Sequence, residues 1–568
     1  MKSMRTGWLS HSIVLAAAVV VAWIASPAWA GYELPPGERI TNLPHIPRSM
    51  PQKEAYETYD PTIGRNFDIK NFWMRADLRV RPEFRQRACF GAAQSGAGTC
   101  NSFAAGANPA SSRAAEGKAN DMYVQQWIRL GFGYDLSPDV NFYMEIIDSA
   151  VWGGNGNQVN AGNGGDPLNH NCSQANVSSA TANQGGGCRL GVRAGYVLVR
   201  NLGGVQGLSM KAGRQYVIFG NHSLFGHFDW ANTGYSHDGI MFAYQTKNVD
   251  SYLGWFRNSE SDLLQGAPVG SAAPNVAGQA QGNDAARDAD MFIFYNQIKS
   301  VPGMLIEPYY VLYSNRYSSA DNGSSATQGL GAPKHSNQIR HMVGNRLEVR
   351  KGNWDIINET AWQFGQMGDR TAGSVSPCGP GSNQKCLHIN AWATRNWLGY
   401  TWYENKMKPR LALNVDYASG DGRNYCNAGA TVACKTANTF ENFFPTNHIH
   451  MGYADIIAWK NMFAPQVNFQ FRPTERDHFE FWYMNMNLAS SKDCWYRAGQ
   501  GCYIQSKENN QKTHIGDEID FTWTRMFADG KVAFQATYSH IFAGGYIAEN
   551  LGQSRDQSWG FVQLWMNF

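Results

Sequence analysis

Between residues 72 and 85 the chain alternates with a period of two. Phe72, Met74, Ala76, Leu78, Val80, Pro82 and Phe84 fall on one face; Arg75, Asp77, Arg79, Arg81, Glu83 and Arg85 fall on the other, with Trp73 at its start. Side chains two residues apart share a face in extended backbone, so the pattern predicts a β-strand with one apolar and one ionic side. A half-buried strand of a soluble sandwich also alternates, but seldom for so long or with so many charges on one side. The C-terminus repeats the pattern less cleanly. Gly560, Val562, Leu564, Met566 and Phe568 share a face, and Gln563 and Asn567 lie on the other beside Phe561 and Trp565.

The same period predicts strands near 122–136, 139–150, 189–200, 208–217, 239–247, 250–258, 289–298, 304–315, 338–350, 354–366, 388–402, 409–419, 452–472, 478–489, 513–527 and 531–542; with the two end strands they make eighteen. The connections alternate in length. Ser137-Pro138-Asp139, Asn248-Val249, Lys351-Gly352-Asn353 and Asp529-Gly530 make tight turns. Between the turns fall long loops rich in Gly, Asn, Ser and Ala: 86–121, 151–188, 218–238, 259–288, 316–337, 367–387, 420–451, 490–512 and 543–555. Long loops on one side and short turns on the other are the sidedness of a bacterial outer-membrane barrel. An even strand count returns both termini to the periplasm, and closure leaves no backbone group unpaired in lipid. The expected fold class is therefore all-β: a transmembrane antiparallel β-barrel of about 18 strands over residues 66–568.

Composition narrows the class. Charged residues make up 16% of the 568 and aromatics 13%, which excludes a disordered chain. A mean hydropathy of −0.43 and no long apolar run after residue 30 exclude a polytopic helical membrane protein. Removing Lys2 and Arg5 leaves 46 basic against 45 acidic residues, so no bulk positive field invites nucleic acid. Lys2 and Arg5 precede the apolar run Ile13–Ile24, and Ala28-Trp29-Ala30 supplies a small-x-small cleavage site. Residues 1–30 thus read as a secretory signal peptide cut after Ala30; the run is short for an uncleaved anchor. Residues 31–65 carry Pro35, Pro36, Pro44, Pro47, Pro51 and Pro61 without alternation, and read as a periplasmic arm or plug over the barrel mouth, or as a flexible tail.

The ten cysteines form five neighbouring pairs, Cys89–Cys100, Cys172–Cys188, Cys378–Cys386, Cys426–Cys434 and Cys494–Cys502. Each pair falls within or at the edge of one predicted long loop, and no short turn holds a cysteine. In an oxidising compartment this reads as five hairpin-loop disulfides. Metal binding is the rival, but no pair has C-x-x-C spacing.

If the apolar face meets lipid, the ionic face lines water. Arg75, Arg79, Arg81 and Arg85 then form a ladder down one wall, joined by Arg129, Arg193, Arg340, Arg346 and Arg350 on other strands. Guanidinium forks suit carboxylates, and spaced ones can pass an anionic chain along without trapping it. Against this stand the lumen acids Asp77, Glu83, Glu145, Glu348, Glu359, Glu518 and Asp520, which could neutralise the arginines and merely brace the wall. The pattern admits both.

Weaker constellations have simpler readings. His448, His450 and Asp455, or His222, His227 and Asp229, could bind a divalent ion, although loop histidines more commonly just hydrogen-bond. The pairs Glu518/Asp520 and Glu145/Asp148 could suggest a glycosidase, but alternating inward acids are more simply lumen lining. No nucleophile elbow, Walker motif or Rossmann fingerprint appears in its required context. The expectation is no enzyme, no metal and no cofactor.

Three stretches resemble the alginate export family of outer-membrane barrels. The first runs from Val192-Arg193-Ala194-Gly195-Tyr196 through Gly213-Arg214-Gln215-Tyr216 to Gly234-Tyr235-Ser236-His237-Asp238-Gly239. The second is Phe440-Glu441-Asn442-Phe443-Phe444-Pro445-Thr446-Asn447-His448, followed by Gly452-Tyr453-Ala454-Asp455, and the third is Gly516-Asp517-Glu518-Ile519-Asp520 with Tyr538-Ser539-His540 and Phe542. The resemblance implies an eighteen-stranded barrel with an arginine-rich pore and passive passage of an anionic polysaccharide. The expected partners are outer-membrane lipid and an anionic saccharide or small anionic solute, with no nucleic acid; export partners in the periplasm fit this setting. The family also includes porins of unassigned substrate. Alternatives are a general-diffusion porin of mixed selectivity, a barrel enzyme acting on polysaccharide, or a sheath around a haem partner, since this chain has no C-x-x-C-H of its own.

Overall fold

The computed structural model describes residues 71–87, 90, 121–152, 190–230, 234–259, 289–315, 338–368, 386–422, 436–498, 502–504, 506, 507, 509–552 and 554–567. The expected signal peptide and Pro-rich segment lie outside them. Eighteen strands form the barrel wall: β1 (Phe72–Gln86), β2 (Asp121–Asp135), β3 (Val140–Val151), β4 (Leu190–Val199), β5 (Leu208–Gln215), β6 (His237–Gln245), β7 (Val249–Ser259), β8 (Ala289–Ile298), β9 (Met304–Asn315), β10 (Gln338–Lys351), β11 (Trp354–Gly368), β12 (Cys386–Thr401), β13 (Arg410–Ala418), β15 (Met462–Phe471), β16 (Asp477–Asn487), β19 (His514–Phe527), β20 (Val532–Ala543) and β21 (Gln557–Asn567). Three short pieces, β14 (Thr436–Ala437), β17 (Trp495–Tyr496) and β18 (Cys502–Ile504), and one helix, α1 (Gly545–Leu551), belong to the loops.

Every wall strand pairs antiparallel with its neighbours in sequence, and β21 pairs with β1, setting Leu564 opposite Val80. That last pairing closes the sheet, so no edge remains for lipid to meet. Along β1 burial alternates as the sequence requires. Asp77, Arg79, Arg81, Glu83 and Arg85 are buried inside, whereas Met74 and Phe84 are exposed on the outer face. Leu253, Phe292, Phe294, Leu413, Phe521 and Val562 continue the apolar exterior around the cylinder. At the short-turn end this belt becomes aromatic. Trp354 packs on Tyr400 at 4.7 Å, Tyr400 on Trp402 at 4.9 Å, and Phe471 on Phe479 at 5.1 Å, the composition of a membrane–water interface.

Gly213 shows why one motif position tolerates no side chain. Its φ is 125°, and a Cβ there would stand 2.3 Å from the Gly195 carbonyl oxygen on β4. The neighbouring motif residues pair across β5 and β6, Arg214 with Asp238 and Gly213 with Gly239.

Two expectations change. The strand over 452–472 shortens to β15, and residues 452–461 are buried on every side, with Tyr453, Ala454 and Trp459 fully enclosed. Residues 216–230, beyond the end of β5, are likewise almost entirely buried. Both segments turn into the lumen, where an apolar run finds cover on all faces, so 452–461 and 216–217 leave the wall and the connection expected as an outer loop folds inward.

The register makes a sharp test. Val80 faces outward midway along β1, one residue before inward Arg81. Val80→Arg is expected to destabilise the barrel by ~2–4 kcal/mol, as a cation on the lipid face near the bilayer midplane does. Denaturant unfolding in lipid vesicles, compared with wild type, measures it.

Candidate functional site: the lumen and its inward loops

All nine arginines of the expected track lie on the inner wall, and eight of them are essentially buried; Arg75 keeps 15% of its side chain exposed. The acids Asp77, Glu83, Glu145, Glu348, Glu359, Glu518 and Asp520 also point inward. Asp148 does not pair with Glu145. The buried positions of β3 are Asn141, Tyr143, Glu145 and Ile147, which puts Asp148 on the opposite face.

Much of the wall is ion-paired. Arg81 meets Glu83 at 2.7 Å and Arg75 meets Asp77 at 2.7 Å. Farther round, Arg346 binds both Glu307 and Glu348, Arg395 meets Asp416 at 3.0 Å, and Arg410 meets Asp355 at 2.6 Å. Arg395 and Arg410 both escape the sequence reading, Arg395 because the inner face of β12 is otherwise apolar, with Leu387, Ile389, Ala391, Ala393 and Trp397 buried there. The outer face carries His388, Asn390, Thr394 and Asn396, so the polar side of the pattern points away from the lumen.

What makes the inner face apolar is the material filling the lumen. Residues 216–230 and 234–236 enter from the β5–β6 connection and the segment 438–461 from the β13–β15 connection, and they bond to each other. Phe444 N–H donates to Leu224 O at 3.0 Å, Gly226 N–H to Phe444 O at 2.8 Å, and Thr446 N–H to His222 O at 2.9 Å. Phe225 stacks on Phe443 at 5.9 Å, and the Thr446 hydroxyl accepts from Phe228 N–H at 3.1 Å. The motif stretch Pro445-Thr446-Asn447-His448 therefore lies at the junction of the two loops.

Asp229 is the hub that holds the first loop to the wall. Its carboxylate takes Arg129 at 2.6 Å and Arg193 at 3.0 Å, and its backbone carbonyl accepts from Arg79. Burial alone would raise the Asp229 carboxyl, but Arg129, His227 and Arg193 outweigh it and hold the group well below the usual range. Next along the chain, Arg81 donates to Trp230 O at 2.9 Å and lies over its ring at 3.4 Å. The other face of Trp230 stacks on His448 at 3.6 Å, and His448 Nδ1 meets Asp455 at 3.0 Å. Arg85 donates to Ala454 O at 3.0 Å.

Those contacts answer the weaker constellations. His448 and Asp455 hydrogen-bond to each other, while His450 bonds to Asn221 O at 2.6 Å. Among the described residues no group of three metal-ligating side chains forms. Glu518 accepts from Ala454 N–H at 2.8 Å and Asp520 from Tyr453 N–H at 3.2 Å, so this carboxylate pair anchors the second loop and flanks no open cleft. A cavity with room for about one water lies among Arg79, His227, Asp229, Trp230, Thr446 and His448. Of the cysteines, Cys494 is buried and disulfide-bonded; the other nine side chains lie outside the described residues.

A closed barrel with an apolar exterior, a charged inner wall and loops folded into its lumen is an outer-membrane channel of porin type. The chain belongs to the alginate export family, whose model, described as alginate export, matches residues 186–561, more than half of its length. No curated protein matches it in sequence. Solved structures of similar architecture include Pseudomonas aeruginosa OpdQ, at 9% identity over 88% of this chain and 98% of that one with a TM-score of 0.46. Acinetobacter baumannii OccAB2 follows at 8% identity over 87% and 98% with a TM-score of 0.48. Pseudomonas aeruginosa OccK9 (OpdG) gives 9% identity over 88% and 99% with a TM-score of 0.47.

Burial lowers His222 to about 3 and His227 to about 4; the neighbouring ring adds to the first shift, and Arg193 and Arg129 to the second, against the pull of Asp229. Both rings are neutral when the loop is docked. Depressed imidazole values stabilise the docked form above the free value of about 6.5, and that stabilisation is lost as pH falls toward the docked values. Acidification from pH 7.5 to 4.5 therefore works against docking by ~2 kcal/mol or more per ring. Single-channel conductance is expected to rise over this interval, and the double variant His222→Gln/His227→Gln to conduct alike at both pH values.

Proposed function

We propose that the protein is a passive conduit for anionic saccharide or small organic anions, with its selectivity carried by the arginines of β1, β2 and β4. One observation supports this reading most. Of the six arginines Arg75, Arg79, Arg81, Arg85, Arg129 and Arg193, all but Arg75 bond to the inward loops. When the loops withdraw, those five guanidiniums lose Asp229 or a loop carbonyl and turn to the water of the lumen. A partly desolvated guanidinium fork then attracts carboxylates in two-point contact, and successive forks on one strand lie ~7 Å apart, so none holds the solute alone.

The arc from β9 to β13 supports a second, narrower part of the reading. Arg346, Arg350, Arg395 and Arg410 there have carboxylate partners on the wall itself, and Arg340 bonds to Gln338 and Gln363, so most of this arc stays balanced whether the loops are in or out and contributes rigidity more than field. An all-round balanced wall would instead give a general-diffusion porin of mixed selectivity.

Reversal potentials in planar bilayers separate the two. Deleting 218–236 is expected to raise conductance and bring out anion preference, and Arg75→Ala, Arg79→Ala and Arg81→Ala in that background to remove most of it. Cation preference, or selectivity untouched by the three substitutions, would overturn the arginine track.

We also propose that the five cysteine pairs close locally, each bracing one external loop against the disorder its length allows. Peptide mapping without reductant is expected to yield Cys494 linked to Cys502 and the four analogous pairs. Reduction is expected to leave barrel unfolding nearly unchanged and to speed protease cleavage in the loops.

A further inference from the structure

The net positive charge of this chain sits at one end of the barrel. The eight short turns, 136–139, 200–207, 246–248, 299–303, 351–353, 402–409, 472–476 and 528–531, contain nine basic and four acidic residues. The remainder of the chain has 39 basic against 41 acidic, so the turns account for the whole excess. Seven of the eight turns carry a cation. Three consecutive ones form a continuous arc through Lys406, Lys408, Arg472, Arg476 and Lys531, all exposed. Backbone bonds join this arc: Arg472 N–H donates to Met407 O at 2.8 Å, Met526 N–H to Arg476 O at 2.9 Å, and Asn567 N–H to Lys531 O at 2.8 Å. Glu404, Glu475 and Asp529 are its acids. Across the mouth, Lys247 is exposed as well, and Lys299 ties its turn to the next through Thr246 O at 2.9 Å.

Two contrasts give the arc its meaning. Lumen arginines are buried and bonded to acids or loops, whereas Lys406, Lys408, Arg476 and Lys531 form no side-chain hydrogen bond or ion pair among the described residues. Headgroup level at this end is already filled by aromatics. Trp402 precedes Lys406 and Lys408 in their turn, and Phe527 precedes Lys531, which sets the cations on the water side of the aromatic belt.

We propose that this basic rim is a capture surface for a linear polyanion on the short-turn, periplasmic side, which gathers the chain at the mouth and gives the passive channel a preferred direction of loading. The proposal rests on the channel reading above, with the rim as a separate site from the lumen track. Exposed like charges spaced around one opening raise the local concentration of a flexible polyanion without binding any single unit tightly, and salt weakens them steeply.

A fluorescently labelled oligouronate, titrated into the detergent-solubilised full-length protein at low salt, tests the rim whether or not the channel conducts. Lys406→Gln, Lys408→Gln, Arg476→Gln and Lys531→Gln combined are expected to weaken binding about tenfold. Arginine at the three lysine positions should retain it. In oriented bilayers the same oligouronate is expected to block from the turn side at about tenfold lower concentration than from the loop side, an asymmetry the four Gln substitutions abolish. Binding or block that is equal in wild type and the four-Gln variant overturns the proposal. So does a variant whose only defect is weaker association with phosphatidylglycerol nanodiscs, which would make the rim a lipid contact. Failure of the channel reading shows separately, as absent conductance or cation preference in the wild type.

Discussion

A strand that crosses a bilayer has one face on which charge is prohibited, and everything else in this structure follows from that prohibition. The exterior of β1 is Met74, Leu78, Val80 and Phe84; the ions interleaved with them have nowhere to go but inward. An eighteen-stranded cylinder is too wide for its own side chains to fill. Its inner charges must therefore meet water, one another, or chain folded in from outside. Here all three wall solutions are not used equally: β9 to β13 pair their charges in the wall, while β1, β2 and β4 take much of their pairing from loops.

That choice makes the loops structural and conditional at once. Arg129 and Arg193 share Asp229, so the docked loop loses two charge-assisted contacts together if it leaves. It cannot leave alone, because Phe444, Thr446 and Gly226 bind the two inward segments into one unit. The second segment is anchored by carboxylates on β16 and β19: Glu518 and Asp520 take its backbone N–H groups, and Glu480 takes the Tyr453 hydroxyl at 2.9 Å. Lys460 and Glu441 add a fully buried pair at 2.9 Å, whose removal from one side would strand the other charge in the interior. Cations of β1, β2 and β4 and carboxylates of β16 and β19 thus hold the two inward segments as one unit.

The wall was legible in the sequence because lipid imposes a period of two and because turns alternate with loops. Strand positions, inward arginines and the long–short rhythm all follow from local pattern. The interior was not. Residues 452–461 are apolar enough to resemble a strand, and only three-dimensional packing shows that they are covered on every side. Asp229 stood out in the sequence as a partner of two histidines, and His227 does lie beside it, but the arginines that hold it are 36 and 100 positions away. Ion pairs between a loop and a wall have no period, so no local pattern announces them. The same holds for the apolar inner face of β12, which mirrors loops entering from other parts of the chain.

Two charge systems result, and they work under different conditions. Arg129 and Arg193 share the loop carboxylate Asp229, and Arg79, Arg81 and Arg85 bond to loop carbonyls, so this part of the lumen field depends on conformation. The turn cations are exposed and act whatever the loops do. Within a Debye length of ~10 Å at moderate salt the two barely sense each other across the length of a strand. A polyanion would thus meet a standing attraction at the mouth before any lumen field exists, and would find the second field only after the plug had moved. On the proposed reading, separating attraction from passage in this way lets a closed barrel keep its ion-paired interior electrically quiet and still collect an anionic chain at its opening.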